Sequence, residues 1–507
     1  MRDLAARLNS GDQGTAARVA AWRELLGEAS SVLVGLPLEA AGRDAAAAAL
    51  LGGAQVVLAE PDVPARVLAT LERGGADHAI VDSALLAALS AEPAAGMTDL
   101  STLRRVLYLG GPAEFGDIPT LRLREGTDGV VAPAEDRDTE AAVLSAIEAV
   151  QAPAVTPGHA AEFVARLDEA VLASMLHTLQ RYDVLSDPAV SHDPAEVLAA
   201  AGVAERHEAV VTRWLTTLCE RGVVSRDGDL VRGAGRISTD TVAAAWAAAK
   251  ESWTCGLGDA AVIDYFRLNA DRLPELMSGS EQATLLLFPE GRTDVADALY
   301  RHTAIARHLN AAVAAAVTVL AVDGGRLRVL EIGAGTGATS EVVFGELAES
   351  GTHGVDYHFT DVSAFFLSAA QERFAEHEYV RYGIYDADRG NRDQGFTPGS
   401  ADVIIAAGAL NNARDTDATL RRVRELLAPG GWLLVTEPTR EYLEILISQA
   451  FMMTAAEDAR LRSGTTFLTR AQWLEALERA GFTQVHTTPG DDHPLAPMSQ
   501  YLFAAPR

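Results

Sequence analysis

An acid followed by three alternating glycines, Glu331-Ile332-Gly333-Ala334-Gly335-Thr336-Gly337, closes an apolar run that begins at Leu327. The pattern predicts a buried strand that turns sharply into a helix. Glycine permits the turn and leaves no side chain between the backbone and a ligand. The helix N-terminal amides beyond it can face an anionic group of a nucleoside cofactor. Two more runs end in acids: Gly354–Thr360 in Asp361, and Val380–Tyr385 in Asp386. A carboxylate at the first can accept two hydrogen bonds from a ribose diol. A side-chain oxygen at the second can accept one from an adenine amino group.

These residues need strands and helices that alternate. From Arg326 onward they do so to the end of the chain. A fourth strand, Ala401–Ala407, leads to Gly408-Ala409-Leu410-Asn411-Asn412. A helix then ends at Leu427-Ala428-Pro429-Gly430-Gly431, and the fifth strand, Trp432–Glu437, closes on another acid. Gly333, Gly335 and Ala338 also satisfy a permissive dinucleotide fingerprint, in which Asp361 would serve an NAD ribose. The loop alone does not separate NAD from another nucleoside cofactor.

The series Glu331, glycine loop, Asp361, Asp386, Pro-Gly-Gly and Glu437 resembles the class I S-adenosylmethionine-dependent methyltransferases over about residues 165–505. It is most similar to the methyltransferase domains of polyketide and non-ribosomal peptide synthases. Leu287–Gly291, Ala298–Arg301, Phe359–Ser363 and Gln394–Phe396 share in the likeness. The resemblance implies a Rossmann-like α/β fold and S-adenosylmethionine as cofactor. It implies that Gly333, Gly335, Gly337, Asp361 and Asp386 bind that cofactor, with Glu331 near its methionine amine and Tyr300 contacting cofactor or substrate. Related carbon methyltransferases carry a histidine just after the fourth strand, which forms a base dyad with a glutamate on the fifth. Here the glutamate matches Glu437 and the histidine position holds Asn411, an amide that cannot take up a proton at neutral pH. Three outcomes follow. The acceptor is already nucleophilic; or Glu437 or His302 acts as the base; or the fold serves a non-methylating step such as epimerisation or cyclisation, with Asn411 holding an oxyanion.

The remaining chain reads as four regions. Residues 1–125 predict a small parallel α/β unit, with strands Ser31–Pro37, Ala54–Leu58, His78–Val81 and Val106–Leu109. Leu36-Pro37-Leu38, Leu50–Leu58, Asp99–Val106 and Gly110-Gly111 resemble part of an adenylation domain. The phosphate loop and lysines of such domains are missing, which implies a degenerate fragment in a scaffold or docking role. Residues 126–160 read as a linker with one short helix. Residues 161–238 predict three helices and an Asp-Gly hairpin, a winged-helix pattern. Glu205, Glu208 and Glu220 offset the arginines of its would-be recognition segment, so packing is expected there rather than DNA binding. Residues 239–325 predict a helical lid, and 326–507 the cofactor-binding domain.

Composition sets the outer bounds. With 507 residues the chain exceeds one ordinary core. Its 70 acids against 42 lysines and arginines give a net charge of −28, which repels nucleic acid and anionic membranes. Two cysteines without metal-type spacing, no secretory leader pattern and no apolar run of spanning length lead to a cytoplasmic expectation. No phosphopantetheine-site, ketosynthase or condensation signature is found. The expectation is therefore an enzyme of natural-product biosynthesis acting in trans or excised from a synthase. Its partners would be a carrier-tethered or released small molecule and other synthase proteins. A non-catalytic docking subunit is the competing class.

Overall fold

The computed structural model describes residues 13–507, except 38–39, 62, 111–114, 117, 126–129, 134–138, 157, 323–326, 353 and 454. Leu38 and Gly111 of the adenylation-like segments, and much of the polar stretch Ala132–Asp138, therefore lie outside the described residues.

The N-terminal sheet has six strands: β1 (Ser31–Val34), β2 (Gln55–Leu58), β3 (His78–Asp82), β4 (Arg105–Leu109), β5 (Thr120–Glu125) and β6 (Val131–Pro133). Their order is β2-β1-β3-β4-β5-β6, parallel as far as β5, with β6 returning antiparallel. The first four match the sequence expectation. β5 and β6 were not anticipated, and β6 falls in the stretch read as linker. Its three residues are too few to show a strand periodicity, and only pairing with β5 defines it.

Helices His159–Gln180, Pro194–Ala200 and Glu208–Glu220 follow, with a small sheet of β7 (Ser191–His192), β8 (Ser225–Asp227) and β9 (Leu230–Arg232) in the order β7-β9-β8. Asp227 pairs with Leu230, so the two-residue loop of the hairpin is Gly228-Asp229 rather than the Asp-Gly pair expected, with Gly228 at φ +63° in its first position. Helix Glu208–Glu220 buries Val211, Trp214, Leu215 and Leu218. The Trp214 indole N–H donates to the Leu446 carbonyl at 2.9 Å, and Arg213 pairs with Glu441. The helix packs on helices Pro194–Ala200 and His159–Gln180, and Trp214, whose ring also meets Phe451 edge-on at 6.0 Å, carries it onto the C-terminal domain.

Six further α-helices and a short 3-10 turn, Pro289–Gly291, span 239–322. The last, Ala304–Val322, corrects the expectation that no apolar run reaches spanning length. Its window Ala304–Ala321 is long and apolar enough by length and composition, with 61% of it buried inside the protein. Its small and branched residues pack on helices Thr139–Glu148 and Ala338–Glu349.

The C-terminal sheet contains β10 (Leu327–Ile332), β11 (Val355–Asp361), β12 (Val380–Ile384), β13 (Ala401–Ala407), β14 (Leu427–Pro438), β15 (His486–Thr488) and β16 (Gln500–Pro506). Their order is β12-β11-β10-β13-β14-β16-β15. Strands β10 to β14 are parallel, whereas β16 runs antiparallel to both β14 and β15. Helices cover both faces, which is why Val403–Ala406 is a continuous apolar run rather than an alternating one. The chain winds outward from β10 through β12 on one side and from β13 on the other. A crevice therefore opens at the carboxyl ends of β10 and β13, the topological switch point. The antiparallel β16 between β14 and β15 departs from the dinucleotide-binding order, in which the sixth strand follows the fifth directly.

Trp214 anchors the helical region to the C-terminal domain. Trp214→Ala is expected to lower the unfolding free energy by about 3–5 kcal/mol, measured by denaturant titration.

Candidate active site

A cavity of about 870 Å³ opens at the switch point, between the carboxyl ends of the sheet and the helical region. Gly333, Gly335 and Gly337 all take positive φ, at 63°, 55° and 73°. A Cβ at Gly333 would stand 2.6 Å from that of Ala409, and one at Gly337 would stand 2.5 Å from the Phe374 ring. A Cβ at Gly335 would meet nothing nearer than the Gly333 carbonyl at 4.0 Å. Two glycines thus allow close packing of the loop, while the middle one keeps open space beside the backbone. Gly333 and Gly335 line the cavity, and Gly337 lies just behind it.

Asp361, at the end of β11, is 5% exposed. Its Oδ2 accepts from the Gly335 amide at 2.9 Å and its Oδ1 from the Ser363 amide at 2.8 Å. Each oxygen retains a lone pair for a ligand. Burial raises its pKa, and the two amides oppose that shift. Asp361 therefore braces the glycine loop, a role the sequence did not disclose. Asp386 follows β12 and accepts from the Asp388 amide at 3.0 Å, while its own amide donates to Gln394 at 2.8 Å. Both acids line the cavity.

Glu331 lies on β10 and is 1% exposed. Its Oε2 accepts from Tyr357 at 2.7 Å and from the Ser340 hydroxyl. Burial pushes its pKa up to about 7 against those two donors. Glu437 near the end of β14 is equally buried. Its Oε1 accepts from the amides of Leu410 and Asn411 at 2.8 and 3.2 Å, and its Oε2 from Asn411 Nδ2 at 2.8 Å. Burial raises Glu437 to about 7 as well, although these three N–H donors favour the charged form. Glu437 and Asn411 are thus paired side chain to side chain, and both face the cavity.

Tyr300 also lines the cavity, with 43% of its surface accessible. His302 corrects the sequence expectation: it is exposed and is not among the cavity residues. In the short turn between helices Asp294–Tyr300 and Ala304–Val322, Arg301 and Thr303 point inward and leave His302 outside. The base role read for it has no geometry here.

Three side chains overlooked in the sequence hold the site together. Arg301, 8% exposed, donates to the Gly337 carbonyl at 3.2 Å, to the Thr336 carbonyl, to Glu341 and to Asp297. Asn310 donates to the Tyr300 carbonyl at 3.1 Å and accepts from Thr339 at 2.8 Å. Arg460 donates to the carbonyls of Asn411 and Ala413 and pairs with Asp458, whose carboxyl it holds far below the usual range. Arg301 lies in a segment that carried the family likeness, which was a usable signal. Arg460 lies 49 residues beyond Asn411, and nothing local in the sequence joins the two.

Residues 330–433 match the family model of a methyltransferase domain. The chain carries a methyltransferase domain. It is 38% identical over 323 residues to pyochelin synthetase PchF of Pseudomonas aeruginosa, and 32% identical over 333 residues to polyketide synthase ThaG of Burkholderia thailandensis. Those alignments cover 63% and 64% of this chain but only 18% and 6% of the two relatives, so the chain spans a small part of the curated proteins it matches. Among solved structures, the CurJ carbon methyltransferase superposes with a TM-score of 0.64 at 25% identity, covering 72% of this chain and 96% of that one. The DszA carbon methyltransferase, at 23% identity and a TM-score of 0.62, shares the fold over 72% of this chain and 93% of that one. The methyltransferase domain is thus of the type found in polyketide and peptide synthases.

Glu331 and Glu437 give the unliganded methyltransferase domain a distinctive pH dependence. Their folded pKa of about 7 lies above the ordinary 4.5. Between those values the unfolded chain has released the protons that the folded chain keeps, so stability falls as pH rises from 4.5 toward 7. Glu331→Gln is expected to flatten that fall, read as midpoint against pH in urea titrations.

Proposed function

We propose that this chain transfers a methyl group from S-adenosylmethionine to a heteroatom, nitrogen foremost, of a carrier-tethered or released polyketide or peptide intermediate. The cavity fits the donor. Six carboxylates and a single guanidinium, Arg414, are among its lining residues, a balance suited to a ligand carrying both a sulfonium and an ammonium. The open backbone at Gly335 leaves space where the donor must approach closely. Glu331 would hold the ammonium, Asp361 the ribose diol and Asp386 the adenine. When bound, the donor supplies the methyl group as an electrophile.

The heteroatom reading rests on Asn411. Its position is the one at which related carbon methyltransferases place the histidine of the dyad, and among the described residues no histidine lines the cavity. Deprotonating a carbon between two carbonyls calls for such a base. An amine or hydroxyl brings its own lone pair and needs mainly alignment. Asn411, anchored by Glu437 on one side and Arg460 on the other, supplies a fixed amide for that alignment. The N-terminal sheet is read as the remnant of an adenylation domain that serves as a scaffold.

Two experiments test this reading. Donor binding is expected to raise the melting temperature, and Asp361→Asn to weaken the donor at least about tenfold by calorimetry. Unchanged affinity in that variant would remove Asp361 from the ribose site. With labelled donor and paired N-acetylcysteamine thioesters, one aminoacyl and one β-ketoacyl, label is expected on nitrogen. Transfer confined to the β-ketoacyl carbon would overturn the heteroatom reading, and no transfer to either would favour the non-methylating alternative.

A further inference from the structure

The donor-binding acids stand at the ends of β10, β11 and β12, so the space over β13 and β14 is left for the acceptor. Glu444 reaches the cavity there, on the short helix Leu443–Leu446 just beyond β14. It is 6% exposed. Its Oε2 is buried without a hydrogen-bond partner, its Oε1 stands 4.0 Å from Arg440 Nη2, and its own backbone amide adds support for the charged form. That guanidinium is shared: Arg440 also pairs with the buried Asp168 at 3.7 Å and lies 4.0 Å over the Tyr442 ring. Arg221 reaches Asp168 as well, at 3.2 Å, whereas among the described residues Arg440 is the one cation paired with Glu444. A buried carboxyl left this poorly paired costs stability and is retained where a ligand completes it. Glu437, by contrast, has its oxygens occupied by three N–H donors.

We propose that Glu444 is the acceptor-side base: its carboxylate binds the ammonium of an amine acceptor and takes one proton from it. The nitrogen then carries the free lone pair that attack requires, and the carboxylic acid formed returns the proton to solvent through the cavity mouth. This assignment rests on the heteroatom reading above and narrows the acceptor to an amine. Burial raises the Glu444 pKa, which suits a group that must hold a proton in passing.

The test compares the N-acetylcysteamine thioesters of alanine and of lactate, which differ in amine against hydroxyl. Wild type is expected to bind the alanyl thioester at least about tenfold more tightly by calorimetry. Glu444→Gln should abolish that preference, leave donor affinity unchanged, and remove the acidic limb from the pH profile of alanyl methylation. If Glu444→Gln does not fold, Glu444→Asp is expected to lower the preference while keeping the limb. A preference and pH profile unchanged in the folded variant would overturn the role of Glu444 while leaving methyl transfer standing. Wild type that methylates only the lactyl thioester would overturn the role too. Wild type that transfers label to neither would bring down the functional reading, and this assignment with it.

Discussion

The buried guanidinium of Arg301 is the contact on which the rest of the site depends. Positive φ at Gly335 and Gly337 turns the loop out of regular structure, so its carbonyls cannot all find partners in a helix ladder. Arg301 reaches across from the helical region and takes the carbonyls of Thr336 and Gly337. A buried cation needs acids, and Asp297 and Glu341 supply them, with Arg373 also bonded to Glu341. One side chain thus joins the helices that roof the cavity to the loop that floors it. Neither half makes a cavity alone.

The same economy recurs at the other end of the crevice. The turn Leu410–Asn412 is too short to hold itself in place. Glu437 takes its amides from below, and Arg460 takes the Asn411 and Ala413 carbonyls from the far side. Arg460 is in turn fixed by both oxygens of Asp458, and the same Oδ2 also accepts from the Thr416 amide and hydroxyl. The turn is therefore set by three elements that meet only in the folded chain. Its rigidity belongs to the scaffold rather than to the residue at position 411.

Much of this was legible because parallel strands buried on both faces leave an unmistakable trace. Leu327–Ile332, Val403–Ala406 and Leu433–Val435 read as strands from their apolar runs, and Glu331, Asp361, Asp386 and Glu437, at the ends of the first, second, third and fifth strands, mark where the crevice opens. The glycine loop was legible for a similar reason, since alternating glycines have few other uses. What stayed hidden depends on pairing at a distance. β6 exists only against β5, and the reversed direction of β16 shows only in its pairing with β14 and β15. His302 misled because its neighbours in sequence line or brace the site. In the three-residue turn between helices, no periodicity tells which side chains point inward, and Arg301 and Thr303 took those places.

Asn411 restricts the chemistry in a way that follows from the hydrogen bonds alone. A carboxylate only accepts, so the Asn411 amide must offer Nδ2 to Glu437, and its carbonyl oxygen is the acceptor that remains. That oxygen can receive a hydrogen bond from an acceptor's N–H or O–H and so orient it. It cannot carry the proton away. An imidazole in the same place would donate to Glu437 through one nitrogen and take a proton on the other. An amide there would keep the pairing with the glutamate and lack the second nitrogen on which a proton could be taken. Any proton the substrate must lose has to leave by another group on the acceptor side. Glu437 is already engaged by three donors, so a less satisfied carboxyl is better placed to receive it.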